Sequence, residues 1–439
     1  MAQFLSSLFN APVPAPIAGI FQSILTVWAA TWWIVLPLVA GIMFWETWKI
    51  YLHWRFIGRL DFQLLEIKIP KNVLKTPKAM EQIFAAAHAP YSYGYRWTDR
   101  YWKGLEEYWM SFELVGRAGE SHFYLRVPAA FRNMMESAIY SQYPEAEITE
   151  AEDYLHNMPN IIPNQTYMVD GFEEVLRHES YRPIRTYPMF EDPTEERRVE
   201  TMGGLIEAMS KLQGDEQLWF QVILVPTGED FQKEGERAIK KLLGIEETKE
   251  KKPNLFPKID LGITPEDTLS ALFRAPGEAK SHKKEEDSFK KLKFLIAPHD
   301  KERADAIQKK IAKLAFAATL RFLYIWPRDV DAKSEHVMSI HGFVRQFNTQ
   351  DLNSLKPERG TTTAGYAVRG LFKQKRLHWR RRLIYEHYRH ILPAHHESIL
   401  NVEELATVFH FPIATTTTSE LEKVESRKGT PPAALPVVE

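Results

Sequence analysis

From Ile17 to Trp45 the chain is apolar almost without interruption, and no charged side chain precedes Glu46. At 1.5 Å per residue such a run makes about 44 Å of helix, against a hydrocarbon core of about 30 Å. The pattern therefore predicts one transmembrane helix at about 17–45, long enough to tilt, with Pro37 as a place to bend. A secretory signal would need a basic start and a shorter apolar centre, and this N-terminus has neither. Trp28, Trp32, Trp33, Trp45, Trp48 and Trp54 suit the membrane–water boundary. Lys49, Arg55 and Arg59 follow the span, whereas its N-terminal flank has no Lys or Arg. The positive-inside rule then predicts a single-pass protein of the cell (inner) membrane, anchored by residues 1–59, with the bulk of the chain cytoplasmic.

Beyond the anchor the period changes. Gln63 to Pro70 alternates as a strand, and Thr76 to Ala87 reads as a helix. Trp109 to Val115 and His122 to Val127 are strands joined by the turn GRAGES; Phe131 to Tyr143 is an amphipathic helix, and Ala146 to Ala151 a last strand. The order β-α-β-β-α-β predicts a ferredoxin-like α+β domain over residues 60–155. A second α+β domain is expected over 165–400, with its folded unit starting near Pro183. Met202 to Leu212 reads as a helix, Gln217 to Pro226 as the strongest strand, and Glu229 to Leu243 as a helix. A helix near Lys301 to Ala315, a strand at Leu320 to Trp326 and a helix at Ser334 to Phe347 follow. Charge and scattered prolines predict a disordered insertion at about 249–284. The expected fold class is α+β: a transmembrane helix, two ferredoxin-like sandwich domains and an extended tail over 401–439.

Charge adds little at the scale of the whole chain. Fifty-six Lys and Arg against 57 Asp and Glu leave a net charge of −1, so any attraction to polyanions must be local. The absence of cysteine removes disulfides, thiolate metal sites and cysteine nucleophiles, and fits a reducing compartment. A phosphate-binding loop needs glycines and a terminal Gly-Lys-Ser/Thr, yet no Gly-Lys dipeptide occurs, and GTTTAGYAVRG at 360–370 reads as a flexible loop. Nucleophile-elbow, zincin and dinucleotide motifs are missing too. No cofactor and no catalytic residue are expected. His378, His387, His390, His395 and His396, with Glu397, form a late histidine cluster. Neighbouring arginines oppose a cation there, so a solvated polar segment is favoured over a metal site.

Within that stretch Lys373, Lys375, Arg376, Arg380, Arg381, Arg382 and Arg389 interleave with Trp379, Tyr385 and Tyr388. Guanidinium groups pair with phosphates and aromatic faces stack on bases, which makes this the best local candidate for contact with nucleic acid or anionic lipid. The plainer reading is a solvated helix that turns Trp379 and Leu383 inward and docks on an acidic partner. Further on, Asn401 to Pro412 looks like a short capped helix running into an extended stop, and Val424 to Pro436 like an exposed proline-bearing segment.

Four stretches carry a resemblance: QLWFQVILVP (Gln217 to Pro226), GFVRQFNTQDLNSLKP (Gly342 to Pro357), LNVEELATVFHFP (Leu400 to Pro412) and VESRKGTPPAALP (Val424 to Pro436). Together they resemble the region that precedes the ATPase core in membrane-bound conjugation and type IV secretion ATPases, above all the divergent forms of small-genome bacterial lineages. In that family a membrane helix and α+β domains lead into a P-loop motor. This sequence lacks the motor's Walker motifs, so the resemblance does not carry ATP hydrolysis over. It implies a membrane-anchored, non-catalytic half that recruits a separate P-loop ATPase and assembles as a homo-oligomer, or else a truncation of a longer protein. Glu403, Glu404, Leu405, Phe409, His410 and Pro412 would then belong to the ATPase docking segment. The competing expectation is a membrane-tethered cytoplasmic adaptor unrelated to translocation.

Overall fold

The computed structural model describes residues 15–70, 75–190, 200–244, 298–331, 334–364, 368, 370–394 and 398–412. The expected insertion at 249–284 and the segment from Val424 to Pro436 lie outside these residues. Two compact units emerge. The first comprises the described residues up to Asp61 together with Gly94–Glu106, and the second comprises the rest.

In the first unit a single helix, α1 (Ala15–Ile57), runs through Pro37 and continues about three turns beyond the expected end at Trp45. Its stretch Thr26–Ile57 is long and apolar enough to cross a membrane. The extension past the first charge accompanies a contact: residues 94–106 pack on it, with Gly104 against the buried Leu52. The first unit is thus a long apolar helix plus a segment distant in sequence.

The second unit is mixed α+β with one antiparallel sheet. Its strands are β1 (Phe62–Lys68), β2 (Met110–Arg117), β3 (Glu120–Pro128), β4 (Glu147–Glu150), β5 (Tyr167–Leu176), β6 (Gln217–Pro226), β7 (Ala315–Pro327), β8 (Leu355–Pro357) and β9 (Ser398–Asn401). Among the described residues they form a single sheet in the order β4-β1-β3-β2-β6-β7-β5-β8, and β9 also pairs with β7. The long β7 has room for both β5 and β9, since Leu320 to Pro327 faces β5 and Ala315 to Ala318 faces β9. The helices are α2 (Lys78–Ala87), α3 (Arg132–Gln142), α4 (Gly203–Ser210), α5 (Asp230–Leu242), α6 (Pro298–Ile311), α7 (Ser334–Arg345), α8 (Lys373–Arg389) and α9 (Val402–Val408). The path β1-α2-β2-β3-α3-β4 recurs as β5-α4-β6-β7-α7-β8, with α5 and α6 inserted between β6 and β7. The two runs meet where β2 pairs with β6 in full antiparallel register, Met110 opposite Leu224 to Arg117 opposite Gln217.

Alternation of side chains along each strand gives the sheet two faces. One face is apolar: Phe112, Leu114, Phe220, Val222, Leu320 and Phe322 pack against Phe84, Ile139, Met209, Phe343 and Leu405 of α2, α3, α4, α7 and α9. On the other face Val115, Tyr124, Val169, Trp219, Leu323 and Ile325 pack against Ile384, Tyr385 and Tyr388 of α8 and against Tyr154, Leu155 and Ile162. Gly171 lets β5 lie close against β7 there. A Cβ on it would sit 2.5 Å from Leu323 Cδ2 and 2.6 Å from the Phe322 carbonyl oxygen, so no larger residue fits.

The segment from Asn401 corrects the expectation of an extended tail in its first part. Residues 398–408 are a strand and a helix built into the sheet unit. The expected cap is present, with Asn401 Oδ1 accepting from the Glu404 amide at 2.9 Å and Glu404 Oε2 from the Asn401 amide at 3.0 Å. That reciprocal pair satisfies two helix-end donors at once.

Candidate partner-binding surface

The basic stretch singled out by sequence is α8. Its inward residues Ile384, Tyr385 and Tyr388 recur at helical spacing, with Arg381 one turn earlier on the same side. This phase turns Trp379 out, 60% exposed, and leaves Leu383 half-buried. The expectation that Trp379 packs inward is therefore corrected, because Tyr385 and Tyr388 take the places over the sheet. Leu371 and Phe372, at the helix entry, are 83% and 73% exposed, and Phe372 has a left-handed backbone (φ 59°). Phe372, Lys375 and Trp379 thus share one outward face, with Lys373 and Arg376 beside it, all exposed. The Lys375 ammonium sits 5.8 Å from the Phe372 ring.

Arg380, Arg381 and Arg382 are engaged with neighbouring groups. Arg380 Nη1 donates to the Thr362 carbonyl at 3.0 Å. Arg381 pairs with Asp170 at 2.9 Å and lies over the Trp326 ring. Arg382 pairs with Glu386 at 2.7 Å on the helix surface, a contact of little energetic weight. Arg389 is half-buried. The sequence-predicted set therefore splits into an outward group (Lys373, Lys375, Arg376, Trp379, Arg382) and a group that ties the helix down (Arg380, Arg381), with half-buried Arg389 at the helix end in neither.

Beneath α8 lies a buried polar row that sequence reasoning missed. Glu113, Gln221, Arg321 and Glu173 stand opposite one another across β2, β6, β7 and β5. All four are essentially sealed from solvent. Arg321 spends every donor: Nε and Nη2 on Glu173 Oε1 at 2.9 and 2.5 Å, and Nη1 on Gln221 Oε1 at 2.7 Å. It also donates to the carbonyls of His387, in the last turn of α8, and of Leu392, three residues past its end, 3.0 and 2.7 Å away. A cation placed there complements the dipole of the helix. Gln221 then donates to Glu113 Oε1 at 3.0 Å, which fixes the orientation of its amide.

Glu113 collects further donors. Ser111 reaches it at 2.6 Å, Arg126 Nε at 3.2 Å and the Tyr154 hydroxyl at 2.8 Å. Arg126 spans on to Asp153 at 2.6 Å. Tyr154 and Tyr388 hydroxyls lie 2.8 Å apart. Each carries one proton, so with Tyr154 donating to Glu113 it is Tyr388 that donates to Tyr154. Burial drives both hydroxyls well above the ordinary tyrosine range, which keeps them donors. Burial alone would raise Glu173, but the Arg321 charge, the nearby His387 ring (Nδ1 3.6 Å away) and the hydrogen bonds from Arg321 outweigh it and hold the carboxyl down at about 2. Arg126 is raised well above its usual range; burial opposes this, and Glu113 and Asp153 overcome it.

The expected ATPase-docking residues behave differently. Leu405 and Phe409 are fully buried in the apolar face, the latter ring against Phe112, Phe123 and Phe220. Glu404 is also buried; it accepts from the Ile184 amide at 2.8 Å and pairs with the equally buried Lys310 at 3.0 Å. Burial raises Glu404 and lowers Lys310, each shift resisted by the partner's charge. His410 is sealed between the Ala406 carbonyl (3.0 Å) and Glu200 (2.6 Å). Glu403 pairs with Lys313 at 2.5 Å, and Pro412 ends the described segment half-buried. Four of the six, Glu404, Leu405, Phe409 and His410, are thus buried in the sheet unit, while Glu403 and Pro412 are half-buried. Among the described residues no group of three His, Asp or Glu side chains is placed to hold a metal ion. His395, His396 and Glu397 lie outside them.

A signal for the buried row was present. Arg321 is the lone charge in AFAATLRFLYIWP, and Gln221 the one polar residue inside LWFQVILV. A strand apolar on both faces is buried on both, so a single polar residue within it must find a buried partner. The sequence matches no known family model and no curated protein.

Proposed function

We propose that this chain is a membrane-anchored, non-catalytic scaffold. It holds a P-loop ATPase at the inner membrane in a conjugation- or type IV secretion-like translocation system, with its sheet unit in the cytoplasm. In this reading the sheet is two ferredoxin-like halves fused edge to edge at β2 and β6, and the outward face of α8 is the docking surface. The observation that carries the reading is that face: exposed Leu371, Phe372 and Trp379 among exposed Lys373, Lys375 and Arg376, on a helix pinned from below. Exposed aromatic anchors among basic groups are the composition of a partner interface. The buried row supports a structural part for the polar residues, since its carboxylates, guanidinium groups and hydroxyls are spent on one another and on α8. Homo-oligomerisation belongs to the same proposal, by analogy with the ring-shaped motors of the family it resembles.

The test is purification of the full chain from native membranes in mild detergent, followed by mass spectrometry. The reading expects a P-loop ATPase at comparable abundance, and its loss from a Lys373→Glu, Lys375→Glu, Trp379→Ala variant whose anchor and sheet are untouched. Recovery of intact protein with no ATPase would overturn it and leave the adaptor reading.

A further inference from the structure

We propose that residues 94–106 form a second membrane-contacting element: an aromatic and basic collar that lies in the lipid headgroup layer beside α1. The proposal rests on α1 being a membrane span.

The charge pattern sets the level. The uncharged run ends at Trp45, one residue before Glu46, the first charged side chain, and a charge marks where a span leaves the hydrocarbon. Trp45 thus falls at the hydrocarbon boundary, where tryptophan is favoured. Trp97 stacks on it, with ring centroids 6.3 Å apart and planes 12° from parallel. Tyr101 completes the cluster, 5.2 Å from Trp45 and 5.5 Å from Trp97. The Trp48 indole N–H donates to the Tyr101 carbonyl at 2.9 Å.

From there the segment follows α1 away from the apolar run. Gly104 has a left-handed backbone (φ 65°), and a Cβ on it would stand 3.1 Å from Leu52 Cδ2, so glycine permits both the turn and the close approach. His53 Nδ1 and Glu106 Oε2 close the contact at 2.8 Å. Residues 97 to 106 therefore track about two turns of helix, with Trp97 at the membrane end.

The outward side of this collar has the chemistry of a bilayer interface. Trp97 and Trp102 are 58% and 67% exposed, and Phe44, Tyr51 and Trp54 of α1 are 65%, 54% and 47% exposed. Arg96 and Arg100 are exposed beside them, Arg100 lying 5.9 Å from the Tyr101 ring. Indole rings with one wet edge sit at headgroup depth, and arginine pairs with lipid phosphates there. Continuity with the span selects lipid as the occupant over a soluble protein, because the ring on which Trp97 stacks already stands at the hydrocarbon edge.

The chain has no cysteine, so single cysteines report cleanly. Full-length protein carrying Trp97→Cys, Thr98→Cys or Trp102→Cys would be spin-labelled in phosphatidylethanolamine–phosphatidylglycerol nanodiscs. Thr98→Cys keeps both tryptophans. Gly41→Cys on α1 and Met338→Cys on the exposed side of α7 are the references. Collision with oxygen and with an aqueous nickel chelate then reads depth. The collar predicts a loss of nickel access at 97, 98 and 102 relative to 338, with oxygen access between the values at 41 and 338. Nickel access equal to that at 338, with 41 deeply buried in lipid, overturns the collar while leaving the span intact. Nickel access at 41 itself removes the membrane reading on which the collar rests.

Discussion

The two faces of the sheet are built on opposite principles. On the α2–α3–α4–α7–α9 face, Phe220, Phe322, Phe343 and Phe409 form a continuous aromatic stack, with the Phe220 and Phe322 rings parallel at 4.3 Å. Shape and volume do the holding there. On the α8 face, four buried polar groups stand in register, and Arg321 among them holds the helix and the residues after it through the carbonyls of His387 and Leu392. The difference teaches what each face specifies. Apolar packing tolerates repacking at similar volume. A row in which each donor has one acceptor admits α8 in one position and one phase, at little net gain in stability over an apolar alternative. Adjacent residues show the contrast most sharply. Glu173, on the polar face, is held down at about 2 by Arg321, whereas Glu174, on the apolar face, lacks any hydrogen-bond partner for either oxygen among the described residues, and burial pushes it up to about 8.

The largest expected effects come from breaking either face at its centre. Arg321→Ala leaves Glu173 buried and uncompensated and should cost about 3–5 kcal/mol in denaturant unfolding. The double change Arg321→Met, Glu173→Met should recover most of that loss, while the matched cut on the other face, Phe220→Ala, costs about 3–5 kcal/mol with no such rescue.

Next in size is the pH response. Glu174 binds its proton more tightly folded than unfolded, so its contribution is complete below about 4.5 and is lost as pH rises towards about 8. Glu173 runs the other way, contributing above its ordinary value and losing that contribution as pH falls through about 2. Unfolding measured from pH 5 to 8 should show a decline on the order of 3 kcal/mol that Glu174→Gln flattens. A slope unchanged by that substitution would remove Glu174 as its source. Asn401→Ala, which removes the cap of α9, should cost about 1 kcal/mol by the same unfolding measurement. Smallest of all, Lys373→Glu with Lys375→Glu should move stability by less than about 0.5 kcal/mol while abolishing salt-sensitive partner capture, because both side chains stand in water.

Much of this fold was legible wherever one face of an element met solvent. The β1-α2-β2-β3-α3-β4 run, β6, α4, α5 and α7 follow from periodicity with ends shifted by a few residues. β5 was not among the expected strands because YMVDGFEEVL carries three carboxylates, two of which, Glu173 and Glu174, are in fact enclosed, one on each face of the sheet. β7 came out short because its first residues pair with β9, a strand from the far end of the described chain. Of the candidate surface, the basic residues and the helix were readable, but its phase was not, since Trp379 is as apolar as the tyrosines that displaced it. The capped helix at Asn401 was legible from the Asn–Glu spacing, whereas its burial depended on contacts with Ile184, Lys310 and Phe112 that no local pattern announces. The packing of residues 94–106 on α1 is equally non-local.

The claim that the Arg321 row fixes α8 on the sheet, and so presents its basic aromatic face outward, is open to hydrogen exchange on the full-length protein. Amides of residues 384–389 should exchange as slowly as those of β6 and β7. In Arg321→Met their protection should fall while the strands keep theirs. Free exchange of α8 in the unaltered protein, or protection of α8 untouched by the substitution, would contradict it.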